Sequence, residues 1–347
     1  VADVLDLAAI SKEVDEVLEG FLDDLEGAHQ ARSLAEVLRD FIRAGGKRIR
    51  PLLCVLGWHA AGGAGDTTAV LRLAASLELF HTSVLIHDDI IDDSPVRRGR
   101  PAAHCLLADR GPGGPDPRFG TSAAILLGDL ALAWSGRLIG TAPVTGRQLR
   151  EVLPVLDSMR CDVNVGQYLD LLAAGQPSAD LDAALAIVRY KTARYTVERP
   201  MQAGAALAGA DAGVLRACSD FGIPLGEAFQ LRDDLLGVFG DPGHTGKPVL
   251  GDLRDGKHTP LIAIALQRAT PAQRAVLRAH VGDPRLDEPG GAQVRSVLIA
   301  TGAVGAVEQM IAERHVRAVA ALDTAPFRAE AAAALRTLAD AAVRRTS

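Results

Sequence analysis

Four carboxylates, Asp88, Asp89, Asp92 and Asp93, fall within six residues and are flanked by Leu85, Ile86, Ile90 and Ile91. On a helix Asp88 and Asp92 stand four apart, while Asp89 stands three from Asp92 and four from Asp93, so the acids crowd one end of the helix. Each like-charged pair at that spacing costs about 0.2–0.5 kcal/mol. Ser94-Pro95 stops the helix, which puts the acids at its C-terminus, where the macrodipole also disfavours negative charge. A bound cation relieves both penalties. Oxygen-only ligands suit magnesium, which keeps several waters and bridges carboxylates to substrate phosphates. Arg97-Arg98-Gly99 follows at once and offers the donors a phosphate needs. The same residues also describe an acidic helix end neutralised at the surface by its neighbouring basic loop, and the spacing alone leaves both readings open.

A second cluster repeats the arrangement. Gln230, Asp233 and Asp234 stand at i, i+3 and i+4 among Phe229, Leu231, Leu235 and Leu236, so they share one helix face in an apolar setting. Gly240-Asp241-Pro242-Gly243 ends that helix, and two glycine-flanked basic loops follow, Gly246-Lys247-Pro248 and Gly256-Lys257-His258. A third basic turn, Gly45-Gly46-Lys47-Arg48-Ile49-Arg50-Pro51, sets Lys47 and Arg50 three apart beside exposed backbone N–H groups; on its own it is the pattern of a solvated helix entry. Residues 251–258 come close to a nucleotide-binding P-loop. However, His258 stands where a Ser or Thr would hold the metal, and no buried strand precedes it, which argues against that class.

The elements that must position these groups read as helices. Apolar residues make up 48% of the chain and aromatic residues 4%, with Ala and Leu dominant, and long segments lack strand-like alternation, so the expected class is all-α. Helical periodicity covers residues 4–26, an amphipathic helix suited to packing or an oligomer contact, then 34–44, 52–61, 67–93, 122–139, 161–173 and 182–208. Pro200 is expected to kink or interrupt the last of these. Residues 111–117 form a Gly/Pro-rich turn, and the helical region beyond 261 carries no chemical constellation. Length allows one large domain or two. A net charge of −6 argues against a general nucleic-acid binder. Cys54, Cys105, Cys161 and Cys218 lack paired spacing, the usage of a reducing, cytoplasmic compartment. No run of about 18 apolar residues and no signal-peptide pattern is evident, so a transmembrane segment is not expected and only peripheral membrane contact is left open.

Taken together from about residue 40 to 262, the order GGKRIRP, HTxxLIHDDxxDD, RRGxP, KT, FQxxDD and two lysine loops resembles the trans-prenyltransferases, which add isopentenyl diphosphate to an allylic diphosphate. The resemblance implies an isoprenoid-synthase-type all-α helical bundle around a central cavity, formed by residues 1–347 as one polyprenyl synthetase-like domain and working as a homodimer. It assigns Asp88, Asp89 and Asp92 to magnesium at the allylic diphosphate, and Asp233 and Asp234 to a third ion from the opposite wall. Arg97, Lys191, Lys247 and Lys257 would bind the allylic diphosphate, Lys47, Arg50, His81 and Arg98 the isopentenyl diphosphate. Thr192 and Gln230 would face the developing cation. The chain departs from the commonest pattern at Gly237, where many members carry a third aspartate; Asp241 is a candidate substitute.

The implied chemistry is ionisation of the allylic diphosphate, attack by the isopentenyl double bond and proton loss, in an apolar cavity that excludes water. If the tail grows beside the 67–93 helix, one turn accommodates roughly one isoprene unit at about 1.5 Å per residue. Ser83, five residues before Asp88, is too small to block growth; Phe80, one turn deeper, is large enough. Geranylgeranyl diphosphate is therefore the expected product, with farnesyl or longer diphosphates as the alternatives. A class I terpene cyclase or a non-catalytic partner subunit would share part of this pattern, but Asp233-Asp234 with two lysine loops suits a second diphosphate substrate.

Overall fold

The computed structural model describes residues 5–26, 32–240 and 250–344. The helices in chain order are α1 (Leu7–Glu26), α2 (Arg32–Arg43), α3 (Ile49–Ala60), α4 (Thr68–Ile91), α5 (Ala103–Ala108), α6 (Pro117–Gly140), α7 (Gly146–Ala173) and α8 (Leu181–Ile187). A π-helical segment, Val188–Glu198, leads into α9 (Arg199–Leu207) and α10 (Ala212–Phe239). Then come α11 (Gly251–Arg254), α12 (Pro260–Arg268), α13 (Pro271–His280), α14 (Glu288–Ala300), α15 (Ala303–Thr324) and α16 (Ala329–Val343). The only strands among the described residues are β1 (Val96–Arg97) and β2 (Arg100–Pro101), an antiparallel pair. Its turn residues Arg98 and Gly99 have φ of 53° and 73°, the left-handed geometry that a tight hairpin requires.

Side-chain caps set many of the helix starts. Asp116, Thr145, Asp180, Asp211, Thr259, Thr270 and Asp287 each accept from a backbone N–H in the first turn of the helix they precede. The apolar stripe read in residues 4–26 is buried as expected, through Ile10, Val14, Leu18, Leu22 and Leu25. It joins a core built mainly from α1 to α4, α6 and α7. A second core lies between α10 and α12 to α15, and a third joins α3, α9 and α10 to α15 and α16.

Glycines allow several backbones to approach closely. A Cβ on Gly57 of α3 would overlap the Met201 carbonyl of α9, and one on Gly204 of α9 would overlap the Cys54 carbonyl. The π-helical segment is held the same way: a Cβ on Gly166 of α7 would overlap the Lys191 backbone, and one on Gly226 of α10 would overlap Ala193 Cα. The interruption expected from Pro200 thus falls before it. Pro200 is the second residue of α9, which continues the π-helical segment without a break, and the irregularity is the wide π turn immediately upstream.

Two helices, α4 and α6, are long and apolar enough to cross a membrane by length and composition, and α14 with α15 passes the same test as a pair bent by 64°. No uninterrupted apolar run marks these helices in the sequence, because they carry isolated polar residues within a strongly apolar average. For α4 that apolarity faces the core, with 67% of its most apolar window buried, against 44% for α6.

Candidate active site

The first acid wall is the C-terminal turn of α4. Asp89 is fully buried, Asp88 is half-buried and Asp93 is exposed. The β1–β2 hairpin folds back over this turn and delivers Arg97, whose Nε donates to Asp89 Oδ1 at 2.8 Å and whose Nη2 reaches Asp88 Oδ2 at 3.4 Å. The basic loop does therefore pair with the acids. That pairing leaves Asp88 Oδ1 and Asp89 Oδ2 buried without a hydrogen bond. Burial raises the Asp89 carboxyl above its ordinary range despite Arg97. Burial, then Asp88, pushes Asp92 up to about 6.

The π-helical segment supplies the next two groups. Lys191 Nζ donates to Asp170 Oδ2 of α7 at 2.6 Å and lies 3.5 Å from Asp88 Oδ1. Thr192 Oγ1 donates to Gln230 Oε1 at 2.6 Å, and Gln230 Nε2 donates to Asp234 Oδ1 at 2.8 Å. Wider-than-α winding at functional sites is a recognised pattern, and here it sets consecutive residues toward both acid walls. On the second wall Asp234 is 7% exposed and its Oδ2 has no hydrogen-bond partner. Burial, with Asp252 and Asp233 adding to it, pushes its carboxyl up to about 7. Lys257 Nζ donates to Asp252 Oδ1 at 2.8 Å, and Asp252 and Asp92 both help to keep its amine charged against burial.

The GGKRIRP turn builds a third region. Arg48, with φ of 47°, is buried and anchored to Asp15 at 2.8 Å, Glu78 at 2.6 Å and the Ile42 carbonyl at 3.1 Å. Lys47 is exposed beside it. Arg50 donates to Thr196 Oγ1 at 2.7 Å and lies over the Tyr195 ring at 4.2 Å. The Tyr195 hydroxyl is 3.0 Å from His81 Nδ1. Arg98 reaches the same turn, since a Cβ on Gly46 would stand 2.9 Å from its Nη2. Desolvation, then Arg48, Arg97 and Arg50, push the Arg98 guanidinium down, opposed by Glu78. Burial, then Arg50 and Arg98, push His81 well below its ordinary value. Arg98 and His81, whose charged forms are disfavoured by the neighbouring arginines, suit an anion that would relieve that repulsion.

Phe80 and Ser83 are both buried, Phe80 edge-on to Tyr195 with centroids 5.8 Å apart. Lys247 and Asp241 lie outside the described residues. Two carboxylates given no role by the sequence reading, Asp170 and Asp252, are the partners of Lys191 and Lys257. The i, i+3 pair Gln167 and Asp170 on one face was the available signal for the first. For the second it was an acid five residues before Lys257, in the stretch weighed as a P-loop.

Among the described residues no three His, Cys, Asp or Glu side chains converge into a ready-made metal site. Both walls nevertheless hold a buried carboxylate oxygen without a partner, and the donors are all oxygen. That set fits a hard divalent cation completed by substrate phosphate oxygens and water.

Comparison with known proteins identifies the family. The polyprenyl synthetase family model matches residues 31–298. The chain is 35% identical over 270 residues to a geranylfarnesyl diphosphate synthase of Aeropyrum pernix, covering 77% of this chain and 80% of that protein. It is 35% identical over 287 residues to a geranylgeranyl diphosphate synthase of Mycobacterium tuberculosis, covering 81% and 75%. A crystal structure of geranylgeranyl pyrophosphate synthase from Corynebacterium glutamicum, complexed with isoprenyl diphosphate and magnesium, matches with a TM-score of 0.92 at 38% identity, covering 98% of this chain and 100% of that one. The chain belongs to the polyprenyl synthetase family and is a trans-prenyltransferase with the helical isoprenoid-synthase fold.

Proposed function

We propose that this chain works as one polyprenyl synthetase-like domain that condenses isopentenyl diphosphate with allylic diphosphates and stops at geranylgeranyl diphosphate. The observation that carries the reading is the pair of acid walls, each with an unpartnered buried carboxylate oxygen, set beside a group of basic side chains in which Arg98 and His81 are pushed down by their cationic neighbours. One region suits a metal-bound diphosphate and the other a second diphosphate held by side chains alone.

In this reading Asp88, Asp89 and Asp92 on one wall and Asp233 and Asp234 on the other hold magnesium, three ions in all. When bound, the metal supplies Lewis-acid charge against the departing diphosphate. Arg97, Lys191, Lys257 and Lys247 hold the allylic diphosphate and stabilise the negative charge that grows on its bridging oxygen as the carbon–oxygen bond breaks. Thr192 has committed its hydroxyl hydrogen to Gln230, so its oxygen keeps lone pairs that can face electron-poor carbon. Lys47, Arg50, Arg98 and His81 fix isopentenyl diphosphate so that its double bond attacks the allylic carbon. Because His81 is neutral, it serves as a hydrogen-bonding group rather than a fourth cation. A carbon–carbon bond forms, and a proton leaves to the released diphosphate.

Chain length is assigned to α4. Ser83 leaves room for growth and Phe80, one turn deeper, closes it. The named relatives make different lengths, so this assignment rests on those two side chains. Two further attributes belong to the reading. The exposed apolar residues Phe119, Ile125, Leu126 and Leu132 on α6 suit the face that a second copy would cover in a homodimer. Four free cysteines suit a reducing, cytoplasmic setting.

The test is product chromatography after incubation of the purified protein with Mg2+, isopentenyl diphosphate and dimethylallyl, geranyl or farnesyl diphosphate in turn. A twenty-carbon diphosphate from each starter is expected. Products of fifteen carbons, or well beyond twenty, discard the Ser83/Phe80 assignment, and absence of condensation by folded protein discards the reading.

A further inference from the structure

The π-helical segment serves more than the acid walls. Lys191 and Thr192 meet groups of those walls, whereas Tyr195 and Thr196, one turn later, meet the basic turn. Tyr195 is only 2% exposed. Its ring is held on two sides, by the Arg50 guanidinium 4.2 Å from its centroid and by Phe80 edge-on at 5.8 Å between centroids. Arg50 is tied down further by its bond to Thr196 Oγ1 at 2.7 Å. The Tyr195 hydroxyl is thereby fixed 3.0 Å from His81 Nδ1.

Only one direction of that bond satisfies both groups. His81 is neutral, because burial and the surrounding arginines disfavour its charged form, so one ring nitrogen carries hydrogen and the other accepts. Among the described residues Nδ1 is the one acceptor to which the Tyr195 hydroxyl is hydrogen-bonded, and the guanidinium beside the ring can only donate. Were the hydrogen on Nδ1, the phenol hydrogen would be buried without an acceptor, which is costly. The hydroxyl therefore donates to Nδ1, and the imidazole hydrogen sits on Nε2. That nitrogen makes no hydrogen bond among the described residues, and His81 is only partly buried.

We infer that Tyr195 is a positioning residue of the isopentenyl diphosphate site: its hydroxyl holds His81 in the tautomer with hydrogen on Nε2, which offers the incoming diphosphate a donor. A lone pair in that place would repel ionised phosphate oxygens, which only accept. Tyr195 acts through His81 rather than by touching the substrate. The motif order that singles out His81 gives Tyr195 no part. The inference deepens the proposed function and rests on the isopentenyl role given there to His81.

Tyr195→Phe keeps the ring and removes only the hydroxyl. In steady-state kinetics KM for isopentenyl diphosphate should rise about three- to tenfold, the scale of one neutral hydrogen bond, with kcat and KM for geranyl diphosphate within about twofold of the parent. Long-range 1H–15N correlation spectra of the full chain, labelled at the histidine nitrogens, should show His81 with hydrogen on Nε2 in the parent and a mixture of both neutral tautomers in Tyr195→Phe. His81→Ala assigns the signal by its absence. An unchanged KM in Tyr195→Phe, a tautomer unmoved by that substitution, or a parent His81 with hydrogen on Nδ1 overturns the inference. So does a double variant Tyr195→Phe/His81→Ala with KM for isopentenyl diphosphate more than about twofold above that of His81→Ala, because a hydroxyl that acts through His81 then has nothing left to orient. His81→Ala also separates the two claims. A raised KM for isopentenyl diphosphate there, with Tyr195→Phe at the parent value, removes Tyr195 alone; a parent-like KM there removes His81 from the isopentenyl site.

Discussion

Lys191 Nζ donates to Asp170 Oδ2 at 2.6 Å, and this bond ties the π-helical segment to α7 at the level of the first acid wall. Lys191 is thereby aimed before any substrate arrives, with Asp88 at 3.5 Å. Asp170→Asn removes the charge that holds the amine. A charge-assisted hydrogen bond of this kind contributes about 1.5–3 kcal/mol, so kcat/KM for the allylic substrate should fall about 10- to 100-fold, with KM for isopentenyl diphosphate little changed. Steady-state kinetics with each substrate varied in turn checks the split.

Asp234 makes the metal-free protein sensitive to pH. Its carboxyl titrates at about 7 in the folded chain against 3.8 when solvated. Between those values the folded chain keeps a proton that the unfolded chain has released, so the contribution of this group to stability falls as pH rises through that window and is lowest above it. Asp234→Asn should therefore stabilise the metal-free protein at about pH 8, by at most about 4 kcal/mol, and leave it nearly unchanged at about pH 4. Thermal melts in chelator at both pH values measure this. In the parent protein, binding of Mg2+ with pyrophosphate should release a proton at about pH 6, which calorimetry in two buffers of different ionisation enthalpy detects.

Gly226 permits the close contact between α10 and the π-helical segment, since a Cβ there would overlap Ala193 Cα. Gly226→Ala is expected to cost about 1–3 kcal/mol of stability through overpacking. It should also disturb the Thr192–Gln230 bond across the same contact, so activity should fall further than stability alone accounts for. Denaturant unfolding and kcat measured on the same preparation test this pair of outcomes.

Phe80 and Ser83 make the chain-length assignment testable one residue at a time. Ser83→Phe should shorten the main product to farnesyl diphosphate, and an unchanged product removes Ser83 from the argument. Phe80→Ala should lengthen it. Because Phe80 packs edge-on to Tyr195, this substitution is also expected to cost about 3–5 kcal/mol, so the assay should be run well below the melting temperature of the variant.

Much of this site was legible in the chain. The two acid clusters and the basic turns are local patterns whose meaning depends on spacing along one helix or loop, and spacing is what a sequence displays, whereas Lys191-Thr192 was singled out only by the family resemblance. Helix positions were legible for the same reason, through the buried stripe of α1 and the Ser94-Pro95 stop after α4. What could not be read depends on contacts between distant segments. Asp252 covers Gly237 only because α11 returns to α10, and Asp170 meets Lys191 only because α7 packs on the π-helical segment. The π winding was also hidden, and so was the close packing of residues 188–198 that Gly166 and Gly226 on neighbouring helices permit. The averaged apolarity of α4, which lets that helix be buried on most sides, was not visible as an uninterrupted apolar run.

The account centres on ionisation of the allylic diphosphate before the new bond forms. The most direct measurement compares turnover of geranyl diphosphate with that of its analogue carrying fluorine beside the reacting carbon, with isopentenyl diphosphate and Mg2+ present. Fluorine withdraws electrons and destabilises a neighbouring cation, so turnover should fall by at least about a thousandfold, equivalent to about 4 kcal/mol of barrier, while KM stays within about tenfold. Equal turnover of the two substrates would contradict it, because a direct displacement builds little positive charge on carbon.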